Sequence, residues 1–469
     1  MKIKSHFAFK EINDSLLITN EVGDFDFFKK GFLKDLFSDN YSYEEENKLK
    51  KLSVFIEDKE EWKYSSLARR VYSKYAPNER RLNYFILIPT LRCNLSCSYC
   101  QVSRAPEKAK GFDWTKKELI LFERFVQESN LDHVKIEFQG GEPTLRLDLI
   151  QEIIDIVKRN SQSSEFVICT NMVNLNASFL KILERENLSI STSIDGTISS
   201  MSQNRTFDDD ISKKIFLNFQ KILKTFGPEK ISALPTVTEN QIDNPKELIN
   251  TYKELGFNSI FLRPVNYMGF ARKKHKESSN AIDEWNNFYL KSLDEIKKIN
   301  KSQYFEEFYL ASLVKEIFTS FKTGFVDYKS PSRFLDNYVV IDYDGSLFIS
   351  DEARMLSRTN HVDLSIGSLE FGLDENKLKE INYWSENQTH QDCIHCVYQP
   401  FCGIDIVDDM SRYKRFDGVK LESWFCNRQT FLFDFIFDKI EKKDPEWLKV
   451  FSNWITRSKQ SEGLISLFT

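Results

Sequence analysis

The chain has little cysteine, eight residues in 469, and no apolar run that approaches the ~20 residues needed to cross a bilayer. Its first residues, MKIKSHFAFKEIND, lack the continuous apolar core of a secretory signal. Both absences point to a cytoplasmic protein with no membrane partner. Basic charge is not in excess either: 65 Lys and Arg face 70 Asp and Glu, for a net charge of −5. A nucleic-acid binder usually presents a basic face, so no nucleic-acid partner is expected. Internal repeats and low-complexity tracts are missing. In a reducing compartment, scarce cysteines serve as metal ligands or catalytic groups rather than as a disulfide framework. Their placement agrees. Cys93, Cys97 and Cys100 fall within eight residues, Cys393, Cys396, Cys402 and Cys426 form a second set, and Cys169 stands alone.

A chain of this length predicts roughly two to four domains. Residues 1–80 read as a small α+β unit. SLLITNEVGDFDFF predicts two strands around a turn at Gly23, and KKGFLKDLF and SYEEENKLKKLSVFI predict short amphipathic helices. The pattern resembles a winged helix, and the charged segment YAPNERR separates it from the rest of the chain. Over 81–281, six strand-like runs (YFILIP, VKIEF, EFVICT, LSISTSI, ISALPTV and SIFLRP) alternate with helical segments. Thr115 with Glu118 predicts a capping box; Asn244, Pro245 and Gly256 predict the cap, first turn and stop of another helix. These repeats predict an α/β fold, a partial (β/α)6 barrel of TIM type with its chemistry at the C-terminal strand ends. Residues 282–335 read as a bridge of two helices, with Trp285, Tyr289, Leu293 and Ile296 on one and Leu310, Leu313, Ile317 and Phe321 on the other at core-facing spacing. Over 336–440, a hairpin turning at Asp344-Gly345 precedes the second cysteine set and an amphipathic helix, TFLFDFIFDKIEK. Residues 441–469 read as a helical tail.

The stretch TLRCNLSCSYCQ comes directly after the first strand, at the catalytic rim of such a barrel. Three thiolates in one loop hold three irons of a [4Fe–4S] cube and leave the fourth open to a small molecule. Structural zinc wants four ligands, and no fourth sits nearby. With its C-x3-C-x2-C spacing, the chain resembles the radical S-adenosylmethionine (SAM) enzymes. That resemblance implies a [4Fe–4S] cluster whose open iron binds SAM, reductive cleavage to a 5′-deoxyadenosyl radical, and hydrogen abstraction from a substrate. It also assigns residues. Tyr99 matches an aromatic that packs near adenine. Gly140, Gly141, Glu142 and Pro143 match the segment that meets the SAM amino group; glycines allow close backbone approach, and a carboxylate suits an ammonium. Asn171 lies in a matching TNM, Ser193 and Asp195 in SIDG, Arg205 where the family places an arginine for the SAM carboxylate, and Arg263 in LRPVNYMG beside the adenine edge.

CIHCVYQPFC and Cys426 make a complete four-thiolate site. By ligand chemistry alone, one zinc or one [4Fe–4S] cube fits it. The spacing, IGSL at 366–369 and the hairpin ending LFISDE resemble the SPASM-type extension of radical SAM peptide-modifying enzymes, which implies one auxiliary [4Fe–4S] cluster here. The fuller extension carries two. Ile406, Ser350 and Ser332 stand where it has further cysteines, so the inner cluster is expected to be lost. His395 reads as a donor to a ligand thiolate. Asp351, after Ser350, matches the aspartate taken as general base in sulfatase-maturing relatives. Cys169 reads as a small buried apolar residue.

SHFAF, TNEVGDF, TLRCNLSCSYCQVSR, IEFQGGEPTL, SIFLRPVNYMGFA, YDGSLFISDEARML and CVYQPFCG together resemble the maturases of His-Xaa-Ser peptide systems. The implied substrate is a ribosomally made precursor peptide, cross-linked, oxidised or epimerised. The implied partners are an electron donor such as flavodoxin or ferredoxin and a second maturase. The N-terminal unit would then dock the peptide by strand addition. Two other readings are Ser or Cys oxidation in a sulfatase, and a non-enzymatic SAM- or redox-sensing binder.

Overall fold

The computed structural model describes residues 3–57, 60–76, 82–185, 187–274, 281–319, 334–335 and 338–457. Most of YAPNERR, Phe321 and Ser332 lie outside them.

The N-terminal unit has three antiparallel strands, β1 (Phe7–Ile12), β2 (Ser15–Asn20) and β3 (Phe25–Lys29), not two, with β3 at an edge. Gly23 makes the expected turn at φ 98°. Helices α1 (Phe32–Phe37), α2 (Tyr43–Lys51) and α3 (Glu61–Tyr75) come next. Ser42 and Glu45 cap α2 reciprocally. That helix stops earlier than its sequence pattern suggests, because Phe55–Ile56 pairs with Ile3–Lys4 as a strand.

Strands β4 (Tyr84–Leu87), β5 (His133–Phe138), β6 (Ser163–Cys169), β7 (Leu188–Ser193) and β8 (Ile231–Leu234) run parallel in chain order. Between them come α4 (Lys116–Ser129), α5 (Leu147–Asn160), α6 (Ala177–Arg185) and α7 (Asp209–Phe226); α8 (Pro245–Glu254) lies after β8. The Thr115–Glu118 capping box forms as expected. At α8 the Asn244 side chain does not cap the helix; its amide donates to Glu247 instead, at 2.9 Å. The sixth strand is split. Ser259–Ile260 pairs with Glu306–Glu307, and Arg263–Pro264 continues the barrel beside Thr236–Val237.

Two helices, α9 (Ala281–Asn300) and α10 (Phe308–Phe318), bury Trp285, Tyr289, Leu293, Ile296, Leu310 and Leu313 in the core, as their spacing predicts. The hairpin then extends the sheet. Its first strand, β9 (Tyr338–Ile341), pairs parallel with β4, and β10 (Ser346–Phe348), β11 (Ser365–Ser368) and β12 (Gly372–Leu373) are added antiparallel, giving nine strands in one sheet. Helices α11 (Asp351–Arg358), α12 (Glu375–Ser385), α13 (Ile406–Tyr413), α14 (Trp424–Glu441) and α15 (Pro445–Thr456) follow among the described residues.

The N-terminal sheet is seated on α14 and on the loop before it. Lys10 pairs with Asp434 at 2.6 Å and lies over the Tyr398 ring, Ser15 donates to Glu441 at 2.7 Å, and the Phe25 and Phe437 rings stand 5.0 Å apart. A Cβ on Gly23 would lie 2.7 Å from the Phe401 ring. The unit is therefore bound to the second cysteine region rather than held by its linker alone.

Candidate active site

Cys93, Cys97 and Cys100 lie in the loop after β4, each partly buried. Asp113 braces the base of this loop. It accepts from Thr90 Oγ1 at 2.6 Å and from Arg92 Nε at 2.8 Å, and Arg146 lies 2.9 Å away. On its other side the loop is pinned to a π-helical turn, Ser202–Thr206, where Ser98 N donates to the Asn204 carbonyl at 2.8 Å. Such turns inside helices recur at functional sites.

Two glycines fit this loop tightly. A Cβ on Gly140 would meet the Thr90 carbonyl at 2.2 Å, and one on Gly141 would meet both the Leu91 and Arg92 carbonyls at 2.3 Å. Gly140 also has φ 132°. The close approach that the sequence suggests is thus made by the cysteine loop itself. Gly269 does the same from the far side, where a Cβ would overlap the Gln101 carbonyl.

Glu142 is held by its own chain. Its carboxylate is buried and accepts from Thr144 N at 3.1 Å, Thr144 Oγ1 at 2.5 Å, Thr170 Oγ1 at 2.7 Å and Asn171 N at 2.7 Å. It ties the end of β5 to the end of β6 through both oxygens. Burial still raises its pKa. Pro143 starts a short 3-10 turn directly after it.

Asn171 reaches the loop: its amide donates to Asn94 at 2.8 Å and lies 4.0 Å from Cys93 Sγ. Tyr99, Asp195 and Arg205 form one buried chain. The Tyr99 hydroxyl donates to Asp195 at 2.5 Å and accepts from Arg205 at 2.5 Å. Asp195 also accepts from Thr236 N at 3.0 Å. Burial raises the Asp195 pKa, against the opposing charge of Arg205. Arg205 Nε has no hydrogen-bond partner although its residue is only 7% exposed, so one donor is left for a ligand. Ser193 ends β7, and Arg263 is half-buried with its Nε also unpaired.

Burial pushes Cys93 up to about 12 and raises Cys97, whose thiol feels the Arg205 charge in the opposite sense. Binding iron here must therefore displace protons. Three clustered thiols, one adjacent guanidinium with a spare donor, and a glycine-walled cradle fit a cube and an anionic ligand.

Residues 87–265 match the model of the Radical SAM superfamily. Over that span the chain is similar to radical SAM domains. It is 31% identical over 118 residues to an uncharacterized protein of Methanocaldococcus jannaschii and 28% identical over 210 residues to a GTP 3′,8-cyclase of Clostridium botulinum. Those matches cover 24% and 44% of this chain, and 39% and 63% of the two relatives' own lengths. The fold is similar to native anSMEcpe with bound AdoMet, at 16% identity and TM-score 0.61, covering 77% of this chain and 98% of that one. It is also similar to Streptococcus suis SuiB bound to S-adenosylmethionine, at 14% identity and TM-score 0.51, covering 89% and 98%. The α/β fold shared with these structures thus continues into a C-terminal cysteine-rich extension. No helix among the described residues is long and apolar enough to cross a membrane.

In that extension, Cys393 and Cys396 sit on consecutive turns, Cys402 ends a 3-10 turn, and Cys426 lies in the first turn of α14, where its N–H donates to Ser423 Oγ at 3.0 Å. Burial raises the Cys426 pKa, so a metal must displace its proton. Burial pushes Cys393 up to about 12, and the nearby Cys396 and Cys426 add to the rise. Among the described residues no three His, Cys, Asp or Glu side chains converge on a single ion position. A cube needs no such convergence, because each thiolate takes a different iron. The His395 ring lies 6.0 Å from the His6 ring of the N-terminal unit, tilted at 44°, and His6 contacts the Ile394 carbonyl at 3.1 Å. Ser350 caps α11 through Ala353 N, and Ile406 is buried at the start of α13. Asp351 pairs with the fully buried Arg354 at 2.7 Å.

Cys169 departs from its expected part. It is partly buried on the face of β6 opposite Phe166 and Ile168, not within the apolar core. The alternation Glu165, Val167, Cys169 against Phe166, Ile168 is the sequence signal that assigns its side.

Proposed function

We propose that this chain is a radical SAM enzyme that modifies a ribosomally synthesised peptide. Cys93, Cys97 and Cys100 would hold a [4Fe–4S] cube with an open iron for SAM. When bound, this pair supplies a carbon-centred radical that removes a hydrogen atom from the substrate. The chain's own residues do the rest. Asp113 and the two glycines fix the cysteine loop, Arg205 lends positive charge beside Cys97 and keeps one donor for the SAM carboxylate, and Asn171 orients the loop from β6. Tyr99, Ser193, Asp195 and Arg263 line the same rim. Cys393, Cys396, Cys402 and Cys426 would hold one auxiliary cube. Asp351 would accept the proton in an oxidative outcome, held in place by Arg354.

The observation that carries the peptide reading is the N-terminal unit. Edge strand β3 borders a groove of about 710 Å3 lined by Asp26, Lys48, Trp62, Ser66 and Arg70, between that strand and helices α2 and α3. An extended segment adding to β3 would lie along it. The SPASM-like extension supports the same reading, and anSMEcpe has been seen with a bound peptide. The partners would be that precursor peptide, a flavodoxin- or ferredoxin-type electron donor and a second maturase, all in the cytoplasm. The test is co-expression with a small peptide encoded beside this chain. A change in the peptide's mass, absent when Cys93, Cys97 and Cys100 are replaced by alanine, is expected. An unmodified peptide together with active SAM cleavage would refute the peptide assignment.

A further inference from the structure

The outer edge of β3 is already occupied, by two of the chain's own side chains. The Phe27 N–H donates to the Asp26 carboxylate at 2.8 Å, and the Phe27 carbonyl accepts from Lys48 Nζ at 2.9 Å. A residue's N–H and carbonyl point to the same side of an antiparallel strand, so Phe27 aims both at the open edge of the sheet. Asp26 and Lys48 also pair with each other, at 3.3 Å. The carboxylate thus stands where the carbonyl of an added strand would stand, and the ammonium stands where its N–H would. Both side chains are about one-third exposed, at 33% and 31%. Water screens such a pair, and little free energy holds it against a competing strand.

The charges around the edge decide what can compete. Among the residues lining the groove, five are cationic and two, Asp26 and Glu44, are anionic. Lys50, Lys63 and Arg70 are bound to acids outside that lining: Glu57 at 2.5 Å, Glu60 at 2.5 Å and Asp24 at 2.6 Å. Lys48 instead takes its counter-ion from the edge itself. A strand that displaces Asp26 and takes the Phe27 carbonyl leaves the Lys48 ammonium in the groove, where a carboxylate on that strand can meet it. A lysine on the strand would face an excess of like charge.

We infer that the Asp26–Lys48 pair is a placeholder for the substrate peptide, and that the segment to which it yields is extended and acidic. This rests on the peptide-docking reading of the N-terminal unit and names the chemistry of the docked segment. Binding is an exchange of bonds. A peptide carbonyl takes the Phe27 N–H, a peptide N–H takes the Phe27 carbonyl, and a peptide carboxylate takes the Lys48 ammonium. Asp26 is released to water. Asp26 therefore competes with the peptide while Lys48 recruits it, and their removal must change affinity in opposite directions.

The test titrates the small peptide encoded beside this chain, labelled with fluorescein, against the iron-loaded full chain by anisotropy. Asp26→Ala removes the competitor and should tighten binding about threefold. Asp26→Asn keeps an acceptor for the Phe27 N–H but frees Lys48, and should tighten binding less. Lys48→Met should weaken binding about threefold and flatten its dependence on salt. A peptide whose acidic residues are converted to amides should no longer distinguish Lys48→Met from the parent. A purely structural role for the pair would weaken binding in all three variants. If neither Asp26 variant binds more tightly, or Lys48→Met binds as tightly as the parent, this inference falls and the docking reading stands. A dimer of Asp26→Ala in sedimentation, with no gain in peptide affinity, would make a second copy of the chain the strand held off, and also overturns it. No binding of the peptide to the parent chain overturns the docking reading with it.

Discussion

Replacing Gly141 by alanine is a stringent test of how the first cysteine loop is held. The added Cβ would lie 2.3 Å from the carbonyl oxygens of both Leu91 and Arg92, where ordinary contact begins near 3.4 Å. Neither obstacle is a flexible side-chain end; both are backbone immediately before Cys93. The loop must therefore retreat by about 1 Å, at a cost of about 1–3 kcal/mol for overpacking. Retreat breaks the bond from Glu142 N to the Arg92 carbonyl, now 2.8 Å long, and shifts Cys93 relative to Cys97 and Cys100. A misplacement of about 1 Å in a reacting group costs on the order of a hundredfold in rate. Gly141→Ala should therefore fold, keep the irons of the second site, and lose at least about tenfold in dithionite-dependent 5′-deoxyadenosine formation. Gly111→Ala is the control. Its φ of 80° strains alanine, but nothing lies within 4 Å of the new Cβ. It should cost about 1–2 kcal/mol of stability and leave SAM cleavage intact. If Gly141→Ala cleaves SAM as fast as the parent, the glycine does not shape the loop and the reasoning fails.

Other outcomes rest on the same geometry. Two cubes require about eight irons per chain after anaerobic reconstitution, and replacing Cys93, Cys97 and Cys100 together should leave about four; zinc in place of that remainder would restore the zinc alternative for the second site. Deleting residues 1–76 should cost the second cluster its iron, since the deletion uncovers Phe401, Phe437 and Tyr398, and retention of about four irons there would show that this contact is dispensable. Asp351→Asn should retain SAM cleavage and lose an oxidised peptide product; unchanged modification removes its proton-acceptor role. Buried Glu307 is pushed up to about 7, first by burial, against donation from Tyr289, Leu262 N and Leu310 N. Its raised folded-state value means that its stabilising contribution is complete below the unfolded value of 4.5 and is lost as pH rises through about 7. The thermal midpoint of the parent relative to Glu307→Gln should therefore fall between about pH 5 and about pH 8, and a pH-independent difference would contradict this.

Much of the barrel was legible because its strands alternate with capped helices and their apolar runs are short and bounded. Thr115 and Glu118 act locally, so their capping box could be read directly. The joining of β9 to β4 could not, since pairing across some 250 residues leaves no local mark. Helix α3 was missed because its aromatic residues Trp62, Tyr64 and Tyr72 are exposed and only Leu67 is a buried apolar residue, so no stripe marks it. The cysteine spacing pointed to the first site, but Asp113, which braces it, carries no sequence signal of that role. Glu142 illustrates the opposite case. A carboxylate in a conspicuous motif suggested a ligand contact, whereas four donors from its own chain already surround it.

The central claim is tested most directly by SAM cleavage itself. Anaerobically reconstituted protein with SAM and dithionite should form 5′-deoxyadenosine, and the variant with Cys93, Cys97 and Cys100 all replaced by alanine should form none. Undiminished 5′-deoxyadenosine from that variant, or none from the parent protein with its iron in place, would contradict the account.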